Sequence, residues 1–167
     1  MSDLHLDIEY TVGAAKTCGS VICCRPRYGF PSEKSQQAGP IGSYQCDSPP
    51  ALLNSMLDFI NNTIKPEVVL WTGDTFPHNE WQSPSFEDKS VVLDAINTML
   101  KVNLTGPTLY PVIGNHDLAV SDLENFDELE PMINHTAYLW KDWLTEDSKR
   151  QYLENGCYTQ KLKLNSG

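Results

Sequence analysis

The stretch EVVLWTGD, residues 67–74, is a short apolar run that stops at Thr-Gly-Asp. A run of this kind reads as a strand buried on both faces, the type that occupies a parallel sheet. A second one, TLYPVIGNHD at 108–117, stays apolar until it breaks at Gly114. Between them a helix starts at Ser85, with Glu87 and Asp88 in its first turn and Val91, Val92, Ala95, Ile96, Met99 and Leu100 at helical spacing. Strand, helix and strand in this order predict a right-handed crossover in a parallel sheet with helices on its faces, so the fold class is α/β.

Outward from this unit the pattern continues. Asp47 or Ser48 can cap a helix over about 50 to 65 whose first turn takes Pro49 and Pro50, with Leu52, Leu53, Met56, Leu57, Ile60 and Ile64 on its apolar side. Beyond the second strand, AYLWKDWL (137–144) and EDSKRQYLENG (146–156) read as helical, with Gly156 as the stop. The alternating YTQKLKL (158–164) reads as the start of a strand. Residues 8–50 carry no helical or strand period and form a long loop, a kind of segment that is usually functional or crosslinked. No repeat or linker divides the chain, so residues 8–50 and 51–167 belong to one domain.

Composition narrows the function. The chain has 167 residues, 40% of them hydrophobic, and a net charge of -10 from 22 acidic and 12 basic residues. No basic run tracks a nucleic-acid backbone or an anionic membrane, and metal ions would have to supply the positive charge for a phosphate-bearing substrate. No apolar stretch approaches a membrane span, and the N-terminus lacks the basic and apolar regions of a signal peptide. Cys18, Cys23, Cys24 and Cys46 all fall in the loop. A disulfide framework is preferred there, with three pairings open, because the adjacent Cys23 and Cys24 suit a structural zinc site poorly. Sequons at Asn61, Asn103 and Asn134 fit the same secretory route. Together these features predict a secreted or lysosomal protein whose signal segment is not in this chain.

Three short signals carry chemistry: DLH at 3–5, GD at 73–74 and GNHD at 114–117. In open α/β sheets such groups converge at the carboxyl ends of the strands. Asp3, His5, Asp74 and the Asn115 amide oxygen are suitable ligands for zinc, manganese or iron, and one carboxylate can bridge two ions. Gly73 and Gly114 permit sharp turns and keep bulk away from the metals. Asp7 and Asp117 are either orienting groups for His5 and His116 or loop and cap residues. His78 is a loop histidine and His135 a surface one, while Trp140 and Trp143 read as core.

With D-x-H, GD and GNH in this order, the chain resembles the metallophosphoesterase superfamily. SDLHLD at 2–7, CxxxxCC at 18–24, CDSP at 46–49, WTGDTFPHNEW at 71–81, YPVIGNHD at 110–117 and LWKDWL at 139–144 narrow the resemblance to the acid sphingomyelinase family. Acid sphingomyelinase-like phosphodiesterases share the metal motifs and CDSP. The Asn-Asn of fungal endopolyphosphatases departs from Asn115-His116 here.

The resemblance implies a metallophosphoesterase-type β-sandwich flanked by helices, a four-layer α/β/β/α fold of which this chain is an incomplete half. It also implies two zinc ions, with Asp3 and His5 on the first, Asp74 bridging and Asn115 on the second. His116 would act as general acid or transition-state stabiliser, with His78 as its partner near the phosphate. The implied disulfides are Cys18–Cys23 and Cys24–Cys46, leaving Cys157 unpaired. The implied reaction is hydrolysis of sphingomyelin to ceramide and phosphocholine, with a nucleotide phosphodiester as the alternative.

The family pattern calls for three further histidines, in a GH and a later GHxH, and His135 does not match their context. The expectation is therefore the amino-terminal part of a catalytic domain, lacking both the carboxyl-terminal half that completes the site and the strand that delivers Asp3 and His5. The competing expectation is a non-catalytic fragment that binds metal or a partner protein.

Overall fold

In the computed structural model, residues 1–79, 85–117, 126–162 and 164 are described. The crossover unit forms as the sequence predicts: strand β1 (Val68–Trp71) lies parallel to β2 (Thr108–Pro111), with Val68 opposite Thr108 and Trp71 opposite Pro111. Helix α2 (Phe86–Asn103) makes the connection, opened by a reciprocal capping box between Ser85 and Asp88. It buries Val92, Leu93, Ile96 and Leu100.

Helix α1 (Pro50–Phe59) starts with Pro50 at its first position and passes into a π turn at Ile60–Ile64. Its cap is Pro49, not Asp47 or Ser48, because the Asp47 carboxylate is drawn to His78 instead. Leu53, Leu57 and Ile60 are buried, whereas Leu52 and Ile64 lie exposed.

The carboxyl-terminal segment departs further from expectation. Helix α3 (Phe126–Leu139) ends before Trp140, so Trp140 and Trp143 lie in a turn rather than on a helix face. Trp140 is nevertheless core, packed edge-on against Trp71 at 5.8 Å. Helix α4 (Glu146–Asn155) is capped by Thr145 and stops at Gly156, whose φ of 68° suits a residue without a Cβ. Residues 158–162 and 164 form no strand. They pack through side chains, with the Tyr158 hydroxyl donating to the Pro111 carbonyl at 2.9 Å.

The first residues are held more firmly than their position suggests. The Met1 amine donates to the Leu70 carbonyl at 2.7 Å and Thr72 N donates to the Met1 carbonyl at 3.0 Å. Alternate carbonyls of a strand point to opposite sides, and β2 uses those of Glu67 and Trp71. Met1 therefore lies against the other edge of β1, and His5 and Leu6 are held by the segment that follows it, through the carbonyls of Asp74 and Thr75.

One sheet face, carrying Val69 and Trp71, is covered by the helices, while Leu70 on the other is 57% exposed. Among the described residues the sheet has two strands, and helices lie over one of its faces rather than both. The fold is an α/β unit of helices and a small parallel sheet.

The loop at 8–50 has only two short 3-10 turns, Pro26–Tyr28 and Lys34–Gln36. Crosslinks hold it: Cys18–Cys23 and Cys24–Cys46 are both bonded, and Cys157 is free. A buried ion pair, Arg25 Nε to Asp7 Oδ2 at 2.9 Å, fastens it to the first residues. Crosslink stabilisation grows with the loop closed. Replacing Cys24 and Cys46, 22 residues apart, should lower stability by about 3 kcal/mol, and replacing Cys18 and Cys23, 5 apart, by about 2 kcal/mol. Urea denaturation of the two double variants measures the order.

Candidate metal centre

Both strands end in glycine-containing turns that nearly touch. A Cβ added to Gly73 would collide with the Gly114 amide nitrogen, and one added to Gly114 would collide with Asp74 Oδ1. Into this contact reaches the carboxylate of Asp117, on the 3-10 turn Asn115–Asp117. It accepts the backbone N–H groups of Asp74 at 3.0 Å, Thr75 at 2.7 Å and Gly114 at 2.8 Å. Asp117 thus fastens the exits of β1 and β2 together through backbone amides, the loop role of the two open in the sequence.

Asp74 is the next link. Its Oδ1 accepts the His116 N–H at 2.9 Å and its carbonyl accepts the His5 N–H at 2.9 Å. Asp3, His5 and Asp74 all have φ in the left-handed region, at 54°, 37° and 53°. Non-glycine residues adopt that region at a cost of about 1–3 kcal/mol each; away from the cluster Cys24 and Lys65 also do so.

The side chains converge. Ligand atoms of Asp3, His5 and Asp74 lie within 4.8 Å of one another, as do the imidazole nitrogens of His5, His78 and His116. His5 Nδ1 bonds the Phe76 carbonyl at 2.7 Å, which fixes the ring and leaves Nε2 facing the cluster. His78 stacks on His5 with ring centroids 3.9 Å apart, and His116 meets both edge-on at 5.1 Å. Asn115 is exposed on the same turn as His116. A hydrogen bond from the neighbouring Ser2 hydroxyl is the largest influence on the Asp3 carboxyl and holds it below the usual range.

Sequence reasoning missed Asp47. Its Oδ2 accepts the His78 N–H at 2.6 Å and its Oδ1 bonds His78 Nδ1 at 2.8 Å. The signal available was CDSP itself, an acidic residue directly after a crosslinked cysteine. Asp7 does not orient His5; it pairs with Arg25. His135 lies half-buried at the surface, where it bridges α3 to α2 through Asp94 at 3.0 Å. Of the sequon residues, Asn134 is exposed on α3, and Asn61 and Asn103 are half-buried.

A set of two carboxylates and one imidazole, pre-oriented and partly solvated, fits a divalent cation. The model of the calcineurin-like phosphoesterase family matches residues 1–162. The chain belongs to the calcineurin-like phosphoesterase family. Members of this family use divalent metals, in agreement with the donor set.

Within this phosphoesterase family the chain is similar to sphingomyelin phosphodiesterase A of Dictyostelium discoideum, 29% identical over 98% of this chain and 27% of that protein. It is also similar to acid sphingomyelinase-like phosphodiesterase 3b of Mus musculus, 32% identical over 97% of this chain and 34% of that protein. Cyclic GMP-AMP phosphodiesterase SMPDL3A of Bos taurus is 33% identical over 99% of this chain and 35% of that protein. The chain therefore spans about a quarter to a third of the length of these relatives.

Burial is the largest influence on Asp117 and pushes its carboxyl above the usual range, opposed by the Gly114 and Thr75 amides. A carboxyl raised on folding contributes stability that is complete below the ordinary carboxylate pKa and is lost as pH rises through the raised value. In metal-free protein, the stability of the parent relative to Asp117→Asn should therefore fall as pH rises through the carboxylate range. Asp117→Ala, which strands three amides, should cost about 3 kcal/mol or more. Urea titrations at several pH values read both effects.

Proposed function

We propose that this phosphoesterase chain carries the first part of a phosphodiester-hydrolysing centre with two zinc ions. The observation that carries the reading is the meeting of the Asp3, His5 and Asp74 donor set with the His5, His78 and His116 cluster. Asp3 and His5 would hold one ion, Asp74 would bridge, and Asn115 would join on the second. When bound, the ions supply a hydroxide-like water and neutralise phosphoryl charge.

The chain's own residues do the rest. Hydrolysis adds a water oxygen to phosphorus and breaks one P–O ester bond, and the departing oxygen needs a proton. His116 would give it, a role supported by the bond of its backbone to Asp74 and by the contact of its ring with His5 and His78. Asp47 bonds His78 at Nδ1, which would leave Nε2 for the phosphate.

The finer reading is a sphingomyelin-type phosphodiester, cleaved to ceramide and phosphocholine, supported by similarity to sphingomyelin phosphodiesterases. A nucleotide phosphodiester is the second reading, supported by similarity to the cyclic GMP-AMP phosphodiesterase. The crosslinked loop and the three sequons support a secreted or lysosomal setting with glycans on Asn61, Asn103 and Asn134.

With zinc present, Asp74→Asn should lose metal by calorimetric titration. His116→Gln should keep the metal and lower turnover of bis(p-nitrophenyl) phosphate at acidic pH by about 10²–10⁴-fold. Absence of both tight zinc binding and turnover in the parent chain sinks the enzyme reading for this chain and leaves that of a non-catalytic fragment.

A further inference from the structure

Helix α2 buries a face made by Val92, Leu93, Ile96 and Leu100, and the next position of that face towards the amino end is Lys89, which is 3% exposed. Taking an ammonium group out of water costs stability, and an apolar side chain would fill this place in the stripe without that cost. The charge at position 89 therefore has a reason other than the packing of the helix.

The contact that Lys89 makes supplies one. Its Nζ stands over the ring of Phe76, 5.0 Å from the centroid, and Phe76 is itself 2% exposed. A cation is attracted to an aromatic face most strongly where water is excluded. The Phe76 carbonyl in turn bonds His5 Nδ1 at 2.7 Å. Because a carbonyl only accepts, this bond puts the proton of the neutral imidazole on Nδ1 and keeps Nε2 as the donor to a metal. On either side of Phe76 the backbone is held by carboxylates, Thr75 N–H by Asp117 and His78 N–H by Asp47. Phe76 is gripped by its ring, which reaches across to α2.

We propose that Lys89 is a positioning residue for His5, acting through the Phe76 ring and carbonyl to hold the imidazole in the tautomer that a metal requires. The role of His5 as a metal ligand rests on the function proposed above; the hold on its ring does not. A charge acting directly on the centre would have the opposite effect, since an ammonium repels a cation.

The test reads two quantities in the full chain. Long-range proton–nitrogen correlation spectra of the metal-free protein show which nitrogen of His5 carries the proton, and calorimetry gives the zinc affinity. The parent should carry the proton on Nδ1. Lys89→Met keeps the length of the side chain without its charge; it should give a mixture of tautomers and bind zinc about tenfold more weakly. Phe76→Leu should do the same, and the double variant should be no worse than either single one, because both break one link. Lys101→Met removes a second cation that α2 sets against a ring, 5.5 Å from Trp143, and should leave both readings as they are. Lys89→Gln carries the same expectation where Lys89→Met does not fold. A Lys89 variant that loses stability in urea yet keeps the parent tautomer has lost a structural contact alone and overturns the proposal. Tighter zinc binding in that variant also overturns it. If the Nδ1 proton is present in the parent and lost in both single variants but the parent binds no zinc, the positioning of the ring stands and the metal-centre reading fails.

Discussion

The Asp117 carboxylate, buried between the ends of two strands, is the constraint on which the candidate centre depends. By accepting the amides of Asp74, Thr75 and Gly114 it pulls the two exits to contact distance. At that distance neither residue 73 nor residue 114 has room for a Cβ. Once the exits are clamped, Asp74 faces the His116 amide, its carbonyl receives the His5 amide, and His5 is brought under His78. Each link is a main-chain bond to a neighbouring link, so the geometry of the cluster does not rest on freely rotating side chains.

A second set of restraints comes from a segment with almost no regular structure. Residues 8–50 bury few large side chains and hold together by two disulfides and the Asp7–Arg25 pair. Their contribution to the site is the delivery of Asp47, one residue after a crosslinked cysteine, to the far side of His78. Irregular segments usually position side chains loosely. Here the crosslink, together with the Ser48 bonds to His5 and Asp7, gives the loop the precision of a strand.

What was legible in the sequence was local. The apolar runs at 67–74 and 108–117, the Ser85 cap and the Gly156 stop follow from nearest-neighbour chemistry, and the structure shows all of them. The motifs DLH, GD and GNHD were legible as a convergent set because strand ends are where α/β sheets gather function. Misreadings came where a distant partner decides. Asp47 beside two prolines satisfies the local rule for a helix cap, yet its partner lies 31 residues away in His78. The alternation in YTQKLKL satisfies the rule for a strand, but a strand exists only where another accepts its hydrogen bonds, and among the described residues none does. Residues 1–6 show the converse: no local signal orders them, and main-chain bonds to Leu70, Thr72, Asp74 and Thr75 hold them.

The electrostatics of the cluster set an order of events. Asp3, Asp74, Asp117 and Asp47 bring four carboxyl groups to the strand ends, and the hydrogen-bond partners of His5 and His78 are a carbonyl and a carboxylate. The buried Arg25 is committed to Asp7 and Glu9, so it does not offset this charge at the centre. A phosphate approaching such a site meets repulsion, and in a chain of net charge -10 the surroundings do not relieve it. Cations are attracted by the same field. On the reading proposed above, a cation held among Asp3, His5 and Asp74 would remove that repulsion, so metal binding would come before the phosphate.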